Sequence, residues 1–349
     1  MNHFFETISL LSQLATVTGY EKETNLDDWI KAFPILNRAH IDTAGNILIM
    51  HHSSSPNAKN ILVEAHRDII GFCVSELLDG GFFRASPCGG ISTAILPGTE
   101  LIVHGKENVR AIATSIPPHL RNKNSSSTKN TNDDEIFFDT GIRSKKKLEN
   151  LVSIGDPMSF ATKPTMLQNG VITAAGLDNL AGVAAVIECI EKVKEIKNNV
   201  DFLFSAGEET LSAGVRFATK KRRYDCAIIV DAGFAFAPGL DSTKCINMGN
   251  GPAVSFTDTL SVAMSMRIDT IANHHSLSLQ RIAEPGGTGT SATAIQTANG
   301  GIPSTVISIP VSGMHSPSET VKESDIAQTA SLLTAIFNAS WGTFGEVIL

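Results

Sequence analysis

The sequence predicts an α/β fold: an open, mostly parallel sheet flanked by helices and interrupted by a small β-barrel-like domain. Three observations carry this. Short apolar runs rich in Val, Ile and Phe (NILIM, NILVEAH, VDFLFSAG, CAIIVDAG and STVISIPV) end in small or polar residues, as strands buried on both faces do. Helical patterns lie between them. The clearest is LAGVAAVIECIEKVKEIK from Leu180, whose first half is apolar nearly all round and should pack deep against the sheet. From about Ile70 to Gln168 the pattern changes to short β-like segments, the pairs Gly80-Gly81 and Gly89-Gly90, and little helical periodicity.

Taken in chain order, the N-terminal stretch MNHFFETISLLSQLATVTGYEKE reads as an amphipathic helix with Phe4, Ile8, Leu11 and Leu14 near one face. It lacks a basic start, a long apolar run and a small-residue cleavage site, so a cytoplasmic protein is expected. Residues 1–69 and 169–349 are expected to form the α/β domain, and residues 70–168 the inserted β domain. Within the insert, NKNSSSTKNTNDDE from Asn122 is polar and of low complexity, the pattern of a mobile loop. The basic run Lys220-Lys221-Arg222-Arg223 follows the helical AGVRFAT and reads as a solvated helix end favoured by the dipole.

Composition narrows the function. A chain of 349 residues with 42% apolar and 18% charged residues is globular and large enough for two domains. A net charge of −7 without a strong basic patch beyond that run argues against nucleic acid as the main partner. No stretch is long and apolar enough to span a bilayer, so no membrane partner is expected. The five cysteines (Cys73, Cys88, Cys189, Cys226, Cys245) are scattered, with no Cys-x-x-Cys pair, which argues against disulfides or a thiolate zinc site.

Candidate ligands fall where the strand-like runs end. His66 and Asp68 close NILVEAHRD, Glu208 and Glu209 close VDFLFSAGEE, Asp231 closes CAIIVD, and His315 follows STVISIPVSGM. Asp178 sits in the Gly-rich turn before the buried helix, where it could equally be an N-cap. Open α/β sheets bind ligands beyond the carboxyl ends of their strands, so one fold would gather these residues on a common rim. Imidazole and carboxylate suit zinc, cobalt or manganese, and one carboxylate can bridge a pair of ions. Glu208-Glu209 offers one acid for metal and a neighbour for the proton. Singly, each residue has an ordinary structural reading, and only the joint pattern is specific. His51-His52 and His274-His275 read as surface or packing histidines. A glycosidase would leave five metal-type ligands unexplained, and 6% aromatic residues offer few sugar-stacking surfaces.

Together these segments resemble the glutamyl and tetrahedral (TET-type) aminopeptidases, some of which are labelled endoglucanases. The resemblance covers nearly the whole chain, through AHRDIIGFCV, SIPPHL, GLDNLAG, GEETLSAG, VDAG, GNGPAV, GTSATAIQ and MHSPSE in order. It implies the fold of the two-zinc exopeptidases and removal of the first residue of short peptides. It further implies two divalent ions, zinc with cobalt or manganese as alternatives. Asp178 would bridge them, His66 and Asp231 would complete one site, and Glu209 and His315 the other. Glu208 would be the general base, and Asp68 would accept the second ring N–H of His66. The insert would build homo-oligomers, from dimers to dodecamers. Three departures stand out: Asn179-Leu180 where the family has Asp-Arg, Ser291 in place of the Asp of Gly-Thr-Asp-Ala, and Ser312-Gly313 in place of Arg-Tyr. The same ligands would also serve a two-metal deacylase of acylated amino acids. A non-catalytic peptide-binding scaffold on this fold would be expected to have lost a ligand or the base, and none is lost.

Overall fold

The computed structural model describes residues 3–117, 120, 136–193 and 196–339. The polar stretch from Asn122, expected to be a mobile loop, lies outside the described residues, as do Pro118 and His119 of SIPPHL.

A mixed sheet forms the centre of the α/β part. Its middle four strands, in the order Ser304–Ser312, Cys226–Phe234, Asn60–His66 and Asn199–Ser205, are parallel. These are four of the five apolar runs read from the sequence, and every residue of Cys226–Ala232 is buried. The fifth, NILIM, buries Ile47 and Ile49 but exposes Met50, so it is not covered on both faces. Antiparallel strands extend both edges. Ile47–His51 pairs with Asn199–Ser205 on one side, and Glu319–Lys322 and Val171–Ala174 follow Ser304–Ser312 on the other. The connection before Ile47–His51 is too short for a crossover: Asp42 Oδ1 accepts the amides of Ala44 and Asn46 and closes a hairpin with His40–Ile41.

Each face is covered by helices. Leu177–Lys192, Glu323–Asn338, His3–Leu14 and Val262–His274 pack on one, around Ile61, Val63, Ile228, Val230 and Ile307. Phe4, Ile8 and Leu11 bury the expected face of the first helix, and Leu14 packs at its edge. On the other face, Ala213–Lys221 and Ala292–Gln296 pack on Leu62, Leu203, Ile229 and Val306. Lys220 and Lys221 lie in the last turn of their helix, as read, whereas Arg222 departs from the solvated reading and pairs with buried Asp201 at 3.1 Å. No described helix is long and apolar enough to cross a membrane.

Between Asn60–His66 and the helix at Leu177, six strands close an antiparallel barrel: Gly71–Leu77, Phe82–Cys88, Glu100–His104, Asn108–Ser115, Ile136–Asp139 and Pro157–Phe160. Alternate residues fill its interior, with Phe83 stacked on Phe138 at 5.2 Å and Phe72 edge-on to Phe160 at 6.0 Å. Closure leaves the barrel a core separate from that of the sheet.

Candidate metal centre

The carboxyl ends of the parallel strands meet at one rim. His66 is level with Ser205, and Ile229 lies opposite Glu64, so Asp231 falls level with His66. His315 follows three residues after the neighbouring strand ends at Ser312. Asp178 enters from the start of the buried helix, where Gly176 takes φ 71°. Asn179, not Asp178, caps that helix: its Oδ1 accepts the Gly182 amide at 3.0 Å, and its Nδ2 donates to Val230 O at 2.8 Å. A Cβ on Gly182 would come within 2.2 Å of Asn179 Oδ1, so glycine there permits the close approach. The carboxylate of Asp178 is thereby left free to face the rim.

Two His–acid pairs share Asp178. His66 Nε2 lies 3.2 Å from Asp178 Oδ1 and 3.3 Å from Asp231 Oδ1. His315 Nε2 lies 3.5 Å from Asp178 Oδ2 and 3.4 Å from Glu209 Oε2. One ligand atom each from His66, Asp178 and Glu209 lies within 4.8 Å of the others. Both imidazoles are oriented through their other nitrogen: His66 Nδ1 is 3.0 Å from the carbonyl oxygen of Asp68, and His315 Nδ1 is 2.6 Å from that of Gly90. Each ring therefore presents Nε2 to the acids. Glu208 and Glu209 begin a short helix whose amides are received by carboxylates. Gly207 N donates to Glu21 Oε1, Glu208 N to Asp68 Oδ1 and Glu209 N to Asp68 Oδ2, at 2.7, 3.1 and 3.2 Å.

Electrostatics mark the cluster as short of positive charge. Burial pushes Glu208 up to about 9; His66 opposes this, while Asp231, Glu64 and Glu209 reinforce it. Burial, reinforced by Asp178, likewise raises Glu209 to about 8, and burial also raises Asp231. Asp178 differs: despite burial, hydrogen bonds with His315 and His66 hold it well below the usual carboxylate range. The Asp178 contact lifts His315 to about 9, against burial. Burial opposes protonation of His66, but Asp231 and Asp178 raise it well above its ordinary value. Glu209 Oε1 is buried with no hydrogen-bond partner among the described residues. An orphaned carboxylate oxygen among buried acids and imidazoles is a donor set that divalent zinc, cobalt or manganese fits.

All seven residues singled out in the sequence lie in this cluster, and the contact expected between Asp68 and His66 is made by a different group. Asp68 meets His66 through its carbonyl, and its carboxyl oxygen is 3.8 Å from that ring nitrogen. The carboxylate holds the Glu208 and Glu209 amides instead. Three contributors went unread. Glu319, 1% exposed, accepts the Asp178 amide at 2.9 Å and the His315 amide at 2.8 Å. Its place in MHSPSE was the available signal. Gly90 supplies only a carbonyl. Buried Glu64 accepts from Ser205 at 2.5 Å and from Ser291 at 2.6 Å, beneath Asp231. The other histidine pairs lie elsewhere. His51 ends an antiparallel strand opposite Val200, at the far edge of the sheet, and exposed His274 and His275 meet edge to face at 5.0 Å.

Comparison with known proteins fits this architecture. Over 338 residues the chain is 27% identical to the lysyl aminopeptidase of Pyrococcus furiosus, covering 95% of this chain and 96% of the relative. An aminopeptidase structure from the archaeon Desulfurococcus kamchatkensis superposes with a TM-score of 0.90 at 24% identity, covering 99% of both chains. The TET1 peptidase of Pyrococcus horikoshii, described as assembling into a tetrahedron or a large octahedral shell, superposes with a TM-score of 0.81 at 24% identity, covering 95% of this chain and 99% of that one. The family model for M42 glutamyl aminopeptidases matches residues 45–332, and with that span the chain belongs to the M42 family of aminopeptidases.

Proposed function

We propose that this protein is a two-metal aminopeptidase that hydrolyses the N-terminal peptide bond of short peptides. One observation carries the reading: a single carboxylate, Asp178, offers separate oxygens to two His–acid pairs. In this reading His66, Asp231 and Asp178 would hold one divalent ion, and Glu209 and His315 with Asp178 would hold the second. Zinc is the favoured ion, with cobalt or manganese as alternatives. When bound, the pair supplies Lewis acidity toward the scissile carbonyl and toward a water. Glu208 accepts a proton from the attacking water as its oxygen bonds to the carbonyl carbon. It returns that proton to the departing amine nitrogen as the C–N bond breaks. Burial and neighbouring acids keep Glu208 protonated to about pH 9 without cations, so positive charge at the rim is what makes it a base near neutrality. Asp68 fixes where Glu208 and Glu209 start, and its carbonyl fixes His66.

We further assign residues 1–69 and 169–349 to catalysis and residues 70–168 to assembly, in a homo-oligomer between a dimer and a dodecamer. The assembling TET1 relative supports this, as do the exposed barrel residues Ile95, Ile112 and Ile116. Scattered free cysteines accord with a cytoplasmic setting.

The test is hydrolysis of aminoacyl chromogenic substrates and short peptides by metal-stripped protein, then with zinc, cobalt or manganese restored. Metal-dependent release of the first residue, lost when the amine is blocked, is expected. Cleavage of amine-blocked substrates alone would make the protein a deacylase. Absence of turnover with every metal would favour a peptide-binding scaffold.

A further inference from the structure

The metal centre is bordered by more acid than ion binding uses. Residues directly opposite on neighbouring strands share a face of the sheet. Glu64 lies opposite Ile229, two residues before Asp231; Asp231 lies opposite Ser308, and Ser308 opposite Ala253, two residues before Ser255. Glu64, Asp231, Ser308 and Ser255 therefore face the same side. Glu284 joins them just after the strand Gln280–Ala283, with its amide donating to Phe256 O at 3.0 Å. It is half-buried and within electrostatic reach of Asp231.

Glu284 has the Ser255 hydroxyl as a neighbouring donor but no ion pair with a cation among the described residues. Its Oε2 and that hydroxyl are both buried, and neither makes a close hydrogen bond among the described residues. The loop that follows leaves it alone: Asp258 takes the Gly286 amide, and the hydroxyls of Thr288 and Thr290 pair with each other. Glu64 differs, since Ser205 and Ser291 occupy both its oxygens. A carboxylate held partly out of water without a counter-ion is unfavourable until a cation reaches it. A substrate's α-amine belongs with the metal centre, which leaves its side chain to extend over this face.

We infer that the site selects N-terminal residues with a cationic side chain, lysine or arginine, and that Glu284 receives the charge. This rests on the aminopeptidase reading and names its substrate class. A glutamate side chain would meet Glu284 and Asp231 with the same sign, and leucine would leave Glu284 unpaired. The acidic preference in the family's description is accordingly not expected of this chain.

The test compares kcat/KM of the metal-loaded full chain on lysyl, arginyl, leucyl and glutamyl p-nitroanilides, beside calorimetric binding of free lysine, leucine and glutamate. Lysyl and arginyl substrates should exceed leucyl by about tenfold or more, with glutamyl poorest. Glu284→Gln should bring the lysyl-to-leucyl ratio near one, and Glu284→Lys should raise glutamyl above lysyl. Equal or better turnover of leucyl or glutamyl substrate by the parent overturns the inference, as does an unchanged ratio in a folded Glu284→Gln protein. If no anilide is cleaved, the aminopeptidase reading fails by itself, and amino acid binding decides the subsite. Tighter lysine binding, lost in Glu284→Gln, sustains it, and equal binding of lysine and leucine refutes it.

Discussion

Replacing Glu319 with Ala should cost the metal centre more than any other change outside the proposed ligands and base. The side chain touches no ion in the proposed arrangement, yet its two oxygens hold the amides of Asp178 and His315, one residue from each side of the rim. The Asp178 amide is buried, so losing its acceptor costs about 1–3 kcal/mol; the His315 amide is partly reachable by water and loses about 0.5–1.5 kcal/mol. His315 also sits at φ 59°, an unfavourable region for a non-glycine residue, which its neighbours must enforce. Together about 1.5–4.5 kcal/mol is withdrawn from the geometry that binds metal, equivalent to about 10- to 1500-fold in affinity. Competition against a chelating dye measures this for Glu319→Ala and the parent, with thermal melts of both stripped proteins to separate affinity from global unfolding. Metal affinity within about threefold of the parent would refute the reasoning, because the clamp would then be dispensable.

Glu208→Gln should abolish turnover while leaving metal content near that of the parent, measured by kinetics and elemental analysis; retained activity would remove Glu208 as the base. Stability of the stripped protein should fall as pH rises from about 5 to 9. Glu208, Glu209 and His315, raised to about 9, 8 and 9, keep protons in the native state that the unfolded chain releases from pH 4.5 for the acids and 6.5 for the histidine. Melting temperature against pH checks this, and added zinc should reverse the trend because binding displaces those protons. Ser291→Asp should destabilise by several kcal/mol, since it sets a second buried carboxyl against Glu64, and Glu64→Ala in the same chain should recover much of the loss. A Ser291→Asp protein melting like its parent would contradict the contact.

Much of this site was legible because it is made of side chains at strand ends. A run such as CAIIVD places an acid where a buried strand stops, and strand ends in an α/β sheet converge. What escaped the sequence is mostly main chain. Nothing in Gly89-Gly90 beyond a turn signal announces that the Gly90 carbonyl orients His315, and a Cβ there would stand only 3.1 Å from the ring. The same limit explains Asp68, correctly placed beside His66 but joined to it by its carbonyl. For Asp178 the sequence allows both capping and metal binding, and the structure gives the cap to Asn179, which holds the Gly182 amide. Antiparallel edges were hidden for another reason: a strand's composition does not state its direction, and the short turn at Asp42–Asn46 decides it only for His40–Ile41 against Ile47–His51.

The central claim is that Asp178 bridges two ions, and an anomalous-difference map from crystals of the zinc-loaded protein tests it most directly. Two peaks are predicted on either side of Asp178, one within bonding distance of His66 and Asp231, the other of Glu209 and His315. A single peak, or peaks away from Asp178, would contradict it.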